Sequence, residues 1–107
     1  MAHYLIRASM TPEAWAALVK EPSNRREALR PLIEAMGGRL EAYYFAFGED
    51  DAYVLAELPD NVSAAALAMA VTASGVAKSF STTVLMTAEE AMEAMSKAGG
   101  VAYQPPS

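Results

Sequence analysis

His3 is the single histidine in a chain of 107 residues, which makes it the side chain best suited to proton transfer near neutral pH. It lies in a segment whose alternating residues predict a strand, and it shares one face of that strand with Arg7. His3 could therefore act as a general base. The simpler interpretation, which we favour, is a histidine at a strand end near solvent. One histidine and no cysteine argue against a metal site, because zinc and iron sites take several such ligands.

Arg7 and Asp51 are the other two candidate catalytic residues. Arg7 is a charge within a strand, so it could hold a ligand carboxylate or pair with Glu41 or Glu57 across strands or subunits. Asp51 ends a run of three acids at a turn, where it could serve as a base or bind Ca²⁺ or Mg²⁺. EF-hand spacing is missing, so we favour a solvated turn in which Asp51 hydrogen-bonds the turn backbone or caps a subunit contact. We expect no metal at this turn.

Four tyrosines could line a ligand-binding surface with their phenol groups: Tyr4, Tyr43, Tyr44 and Tyr53. Phenols can hydrogen-bond an aromatic ligand, although packing in a core or an interface is the simpler role. The sequence contains no P-loop, no G-x-G-x-x-G or G-x-S-x-G motif and no zinc-ligand spacing. We therefore expect no cofactor, and the residues alone leave open whether the protein is an enzyme.

Length and composition restrict the class of protein. We expect one domain over residues 1–98, followed by a flexible tail over residues 99–107. The net charge is −5 and the basic residues are scattered, which argues against nucleic-acid binding. The N-terminus lacks a signal-peptide pattern, and the longest apolar run, residues 64–71, is too short to span a membrane. The expectation is a soluble cytoplasmic protein with no membrane partner.

The apolar pattern and the capping residues predict four strands and four helices. The strands are predicted at residues 2–10, 39–47, 51–58 and 76–86, and three of the helices at 12–20, 62–73 and 88–97. The remaining helix should run from a cap at Ser23 or Asn24 to Met36. Pro31 lies inside it and is predicted to bend or break it, because proline removes a helical hydrogen bond. The Gly37–Gly38 pair should end it with a left-handed cap.

The order of these elements is β-α-β-β-α-β followed by one more helix. This order predicts an α+β, ferredoxin-like domain with a four-stranded antiparallel sheet and helices on one face. A second face covered by water would show polar residues at every second position. In the second strand, however, both alternating sets are largely apolar: Tyr43, Phe45 and Phe47 form one set, and Leu40, Ala42 and Tyr44 the other. We therefore predict a homodimer or higher oligomer in which a second copy covers that face.

Four segments resemble the GYD-domain family of small bacterial proteins, which lies within the dimeric α/β-barrel group: residues 11–13, 35–40, 44–54 and 57–60. The resemblance covers roughly residues 3–95 in order. It implies a ferredoxin-like fold that pairs into a dimeric α/β barrel. The signature turn of the family carries a Tyr-Asp step after its glycine. Here Gly48 and Asp51 fit, whereas Asp50 stands at the position of the tyrosine.

The resemblance implies a fold rather than an activity, because the family is functionally uncharacterised. Two hypotheses follow. The favoured one is a homo-oligomeric module that binds a small apolar or aromatic ligand, or only assembles. The alternative comes from relatives in the wider group that run cofactor-free oxygenation or isomerisation. It is an oxygenase or isomerase for a small aromatic or polyketide-like substrate, with His3 or Asp51 as the base, Arg7 holding an anion and the tyrosines as walls.

Overall fold

The computed structural model describes residues 1–106, so Ser107, the last residue of the predicted tail, lies outside the described residues. The elements in chain order are β1 (Ala2–Met10), α1 (Pro12–Lys20), α2 (Arg25–Ala35), β2 (Arg39–Phe45), β3 (Ala52–Leu58), α3 (Asn61–Ala73), β4 (Ala77–Leu85) and α4 (Ala88–Gly99). Residues 100–106 form neither helix nor strand. All eight predicted elements are therefore present.

The four strands form one antiparallel sheet with the order β2-β3-β1-β4. Helices α2 and α3 pack on one of its faces, which confirms the α+β, ferredoxin-like fold with an extra C-terminal helix. The core between these helices and the sheet consists of nine buried residues: Tyr4, Ile6, Ile33, Leu40, Val54, Ala56, Leu58, Ala64 and Leu67. We call the opposite surface of the sheet the open face; on its two central strands it carries His3, Leu5, Arg7, Tyr53, Leu55 and Glu57.

The helices begin at the polar residues that the sequence offers as caps. The side chain of Thr11 accepts a hydrogen bond from the first turn of α1, and Asn24 and Asp60 do the same for α2 and α3. Thr87 and Glu90 form a reciprocal capping box at α4. Each cap satisfies backbone N–H groups that would otherwise lack a partner at the start of a helix. The capping residues thus fix where the helices begin.

The break predicted at Pro31 is wrong, because α2 is continuous from Arg25 to Ala35, while the alternative of a bend there stays a prediction. Proline removes one hydrogen bond from the turn, but Ile33, two residues later, is completely buried against the sheet. We attribute the continuity to this packing, which holds the helix through its weakest turn. The left-handed end is confirmed at Gly37, whose φ is +83°.

The expected alternation of β2 is also wrong, because a β-bulge interrupts it between Leu40 and Ala42. One extra residue in a strand moves the following side chains to the other face. Leu40 and Tyr43 consequently both face the helices, whereas Ala42 and Tyr44 lie on the open face. The open face is therefore less apolar along β2 than the sequence pattern indicates.

Helix α4 projects from the rest of the molecule. The radius of gyration is 17.2 Å, whereas a compact domain of this length has about 13 Å. None of the twelve described residues of α4 is buried, and Met92 and Met95 are about two-thirds exposed on its apolar side. Nothing within residues 1–106 covers that side. No helix in this part of the chain is long and apolar enough to cross a membrane.

Candidate functional site

A cavity of about 280 Å³ lies between α2, α3 and the sheet. Its walls are mostly apolar and include Ile6, Met10, Leu29, Val54, Leu67 and Phe80. The volume is near the lower end of the range of about 300–1,000 Å³ that is typical of small-molecule pockets. The cavity can therefore accept a compact apolar body of one or two rings.

Three residues bring polar groups to this cavity: Arg25 at the start of α2, Tyr43 on β2 and Ser74 after α3. Burial raises the pKa of the Tyr43 hydroxyl above its usual value, and the positive charge of Arg25 opposes that rise. The phenol thus stays protonated at neutral pH and remains able to donate a hydrogen bond. Its ring also contacts that of Phe45, with the centroids 5.3 Å apart.

The raised pKa of Tyr43 should make the fold sensitive to alkali. As the pH rises above about 10, the unfolded chain releases the Tyr43 proton before the folded chain does, so the free energy of unfolding falls through this window. A tyrosinate absorbance titration should show a late-ionising group that Tyr43→Phe removes. Tyr103→Phe changes an exposed tyrosine and should leave that late step in place. A late step that persists in Tyr43→Phe would contradict this assignment.

The open face is organised in three rows that run across the sheet. The central row is largely apolar and contains Ala42, Leu55, Leu5 and Thr83. The row on one side contains Tyr44, Tyr53, Arg7 and Ser81, and the row on the other side Arg39, Glu57, His3 and Leu85. An apolar band therefore separates two rows that carry charges.

His3 lies between two carboxylates on this face. Its Nδ1 is 3.1 Å from Oε1 of Glu41, and its Nε2 is 3.7 Å from Oε1 of Glu57. The guanidinium of Arg39 donates to the other oxygen of Glu57 at 2.7 Å and lowers the pKa of that carboxyl group. One His3 nitrogen and two carboxylate oxygens lie within 4.8 Å of one another, a set of ligand types that a divalent cation can use. Contacts within the protein already engage these groups, since His3 approaches both carboxylates and Arg39 pairs with Glu57.

Arg7 pairs with a residue that the sequence did not suggest. Its guanidinium lies 3.7 Å from Oδ2 of Asp50, whereas the expected partners Glu41 and Glu57 contact His3 and Arg39 instead. Asp50, which occupies the position of the signature tyrosine, also accepts a hydrogen bond from the Ser9 hydroxyl. Arg7 and His3 are four residues apart on β1, or about 13 Å. They are not brought to one place.

Asp51 ties the β2–β3 hairpin to the junction between β1 and α1. Its Oδ2 accepts hydrogen bonds from the Met10 backbone at 2.9 Å and from the Trp15 indole at 3.2 Å. Its backbone N–H also donates to the Ala8 carbonyl. The Asp51 carboxylate therefore bonds the β1–α1 junction and not, as the sequence interpretation had it, the backbone of its own turn. The catalytic roles of His3, Arg7 and Asp51 stay predictions, and the three residues occupy three separate places.

The four predicted ligand-binding tyrosines fall into three environments. Tyr4 is buried in the core and donates to Oδ1 of Asn61 at 2.7 Å, and Tyr43 lines the cavity. Tyr44 and Tyr53 lie opposite each other on the open face. Sequence reasoning missed Arg25 as a cavity residue, and no motif marks it. The stripe of apolar residues on α2, which includes Leu29, was the available signal for the cavity wall.

One comparison with known proteins gives a match. A family model described as the GYD domain matches residues 4–95, a range that begins in β1 and ends within α4. The matched range therefore contains nearly the whole sheet, the cavity walls and the charged rows of the open face except His3. No curated protein and no solved structure matches the chain.

Proposed function

The chain belongs to the GYD domain family, and on this premise we propose that it is a homo-oligomeric module that binds a small apolar or aromatic ligand. The observation that carries the proposal is the cavity of about 280 Å³ between α2, α3 and the sheet. The cavity opens to solvent, because lining residues such as Leu32 and Ala70 are exposed, and its apolar walls lack neighbours to pack against there. A ligand that fills it supplies the missing contacts.

The cavity walls favour apolar ligands because transfer of apolar surface out of water stabilises the complex. For a two-ring compound of roughly thirteen non-hydrogen atoms, about 0.3 kcal/mol per atom gives about 4 kcal/mol, or a Kd of about 1 mM or tighter. Binding tests should therefore extend into the millimolar range. A ligand larger than two rings would have to extend through the mouth of the cavity.

The assembly part of the proposal is supported by two uncovered apolar surfaces. Leu55 lies in a central strand of the open face and is 36% exposed, and Tyr44 on β2 is more exposed still. The second surface is the apolar side of α4. An isolated helix of this length is marginal in water, so α4 needs a packing partner to be stable. A second copy of the chain supplies matching surfaces for both.

A change at Ala70 tests the ligand site. Ala70 lines the cavity from α3, so Ala70→Phe should fill part of it and weaken binding of 2-naphthamide, an uncharged two-ring probe, about tenfold or more. Isothermal titration calorimetry measures the Kd. Ala65→Phe places the same ring on the solvent-exposed side of α3, away from the cavity, and should leave the Kd unchanged. Wild-type affinity in Ala70→Phe, or no binding by the wild type, would contradict the proposed site.

A further inference from the structure

We infer that the ligand is a monoanion, with an apolar body inside the cavity and a carboxylate held by Arg25 at its edge. This inference rests on the proposed function, because it concerns the ligand of the same cavity. The argument depends on the position of Arg25, on its lack of a partner, and on the groups that surround the place where a carboxylate would lie.

Arg25 has no carboxylate partner among residues 1–106. Three of the other four arginines do have one: Arg7 contacts Asp50, Arg30 contacts Glu27 and Arg39 contacts Glu57. Arg25 is nevertheless half-buried and forms part of an otherwise mostly apolar wall. A guanidinium in such a place is partly removed from water and keeps all five of its donors available. A ligand carboxylate can accept two of them at once.

The surroundings of Arg25 also favour a negative charge. Arg25 is the first residue of α2, where the partial positive charge of the helix dipole adds to the field of the guanidinium. Tyr43 lines the same cavity and keeps its hydroxyl proton, so it offers a further donor. No carboxylate lines the cavity within the described part of the chain. An anion would therefore meet donors and positive charge without a competing acid.

The size and chemistry of the site narrow the class of anion. A single arginine neutralises one charge, and its planar fork matches the geometry of a carboxylate. The apolar walls behind it require a hydrophobic body of one or two rings or a short alkyl chain. Small aromatic and short-chain carboxylates meet both requirements. The protein carries a net charge of −5, so non-specific attraction does not favour anions.

The test compares two probes of equal shape, 2-naphthoate and 2-naphthamide, at physiological ionic strength. For Arg25→Gln we expect 2-naphthoate to bind about tenfold or more weakly than to the wild type, because a charge-assisted hydrogen-bond pair is lost. The Kd of 2-naphthamide should stay within about twofold, since it relies on the apolar walls. Arg26→Gln removes an exposed neighbouring arginine that does not line the cavity, and should change neither Kd.

The outcomes separate this inference from the proposed function. If the wild type binds both probes equally and Arg25→Gln leaves both Kd values unchanged, the carboxylate assignment is overturned while the ligand cavity stands. If neither probe binds the wild type, the proposed function itself fails and this inference falls with it. If Arg25→Gln does not fold, Arg25→Lys keeps the charge but loses the fork. Arg25→Lys should then bind 2-naphthoate more weakly than the wild type does. Unchanged affinity would contradict a bidentate pair between Arg25 and the ligand carboxylate.

Discussion

Leu55→Arg is expected to convert the proposed homo-oligomer into monomers of 11.4 kDa. Leu55 lies in the apolar row of the open face, on a central strand that a second copy would cover. A buried guanidinium without a partner costs several kcal/mol, and each 1.4 kcal/mol is a factor of ten in Kd. Association should therefore weaken by about a hundredfold or more. Light scattering during size-exclusion chromatography at micromolar concentration measures the mass.

The matched control for this change is Val19→Arg. Val19 is an exposed apolar residue on α1, outside the sheet, and its replacement adds the same charge without altering the open face. We expect Val19→Arg to keep the mass of the wild type. Circular dichroism should show that both variants are folded. If Leu55→Arg keeps the oligomeric mass of the wild type, the open face is not the surface of assembly.

Gly38→Ala is expected to lower the free energy of unfolding by about 3 kcal/mol, the upper end of typical overpacking costs. Gly38 lies between α2 and β2, where an added methyl group would meet the carbonyl oxygen of Glu57. It would also come within 2.8 Å of Leu58 and 3.2 Å of Ile33, both of which are completely buried. Backbone and packed core side chains have little freedom to move away. Urea unfolding followed by circular dichroism measures the loss.

Gly48→Ala provides the control for Gly38→Ala. An added methyl group at Gly48 meets no atom within 4 Å, and its φ lies outside the left-handed region. Its stability should change by less than about 0.5 kcal/mol, as at ordinary surface positions. All three proteins must be unfolded at one concentration, because oligomer stability depends on it. Equal stability of Gly38→Ala and Gly48→Ala would contradict the predicted clash between the methyl group added at position 38 and the carbonyl oxygen of Glu57.

The sequence was sufficient for the fold because its local signals agree with one another. Thr11, Asn24, Asp60 and Thr87 are capping residues placed just before apolar periodic segments, and each begins a helix. The bulge at Glu41 could not be predicted from the alternation of residues in β2. Both alternating sets of this strand are largely apolar, so a shift of one residue leaves no mark in the pattern. The continuity of α2 through Pro31 depends on tertiary packing of Ile33, which local propensity does not describe.

The candidate site was harder to predict than the fold. His3, Arg7 and Asp51 were predicted as catalytic residues because their side chains are chemically versatile, but each has close partners within the chain. Arg25 looked like an ordinary charge at the start of a helix, next to a second arginine. Its significance comes from the space beside it, which α2, α3 and the sheet create together. A cavity formed by three elements that are distant in sequence cannot be predicted from the spacing of residues along the chain.

Native mass spectrometry of the wild-type protein, alone and with 2-naphthoate added, tests the central claim most directly. The denatured mass recorded beside it gives the reference for one subunit. We expect a multiple of the 11.4 kDa subunit that carries added non-covalent mass when 2-naphthoate is present. Release of that mass on denaturation would identify it as bound ligand. A chain that remains monomeric at micromolar concentration and takes up no probe would contradict both the assembly and the ligand cavity.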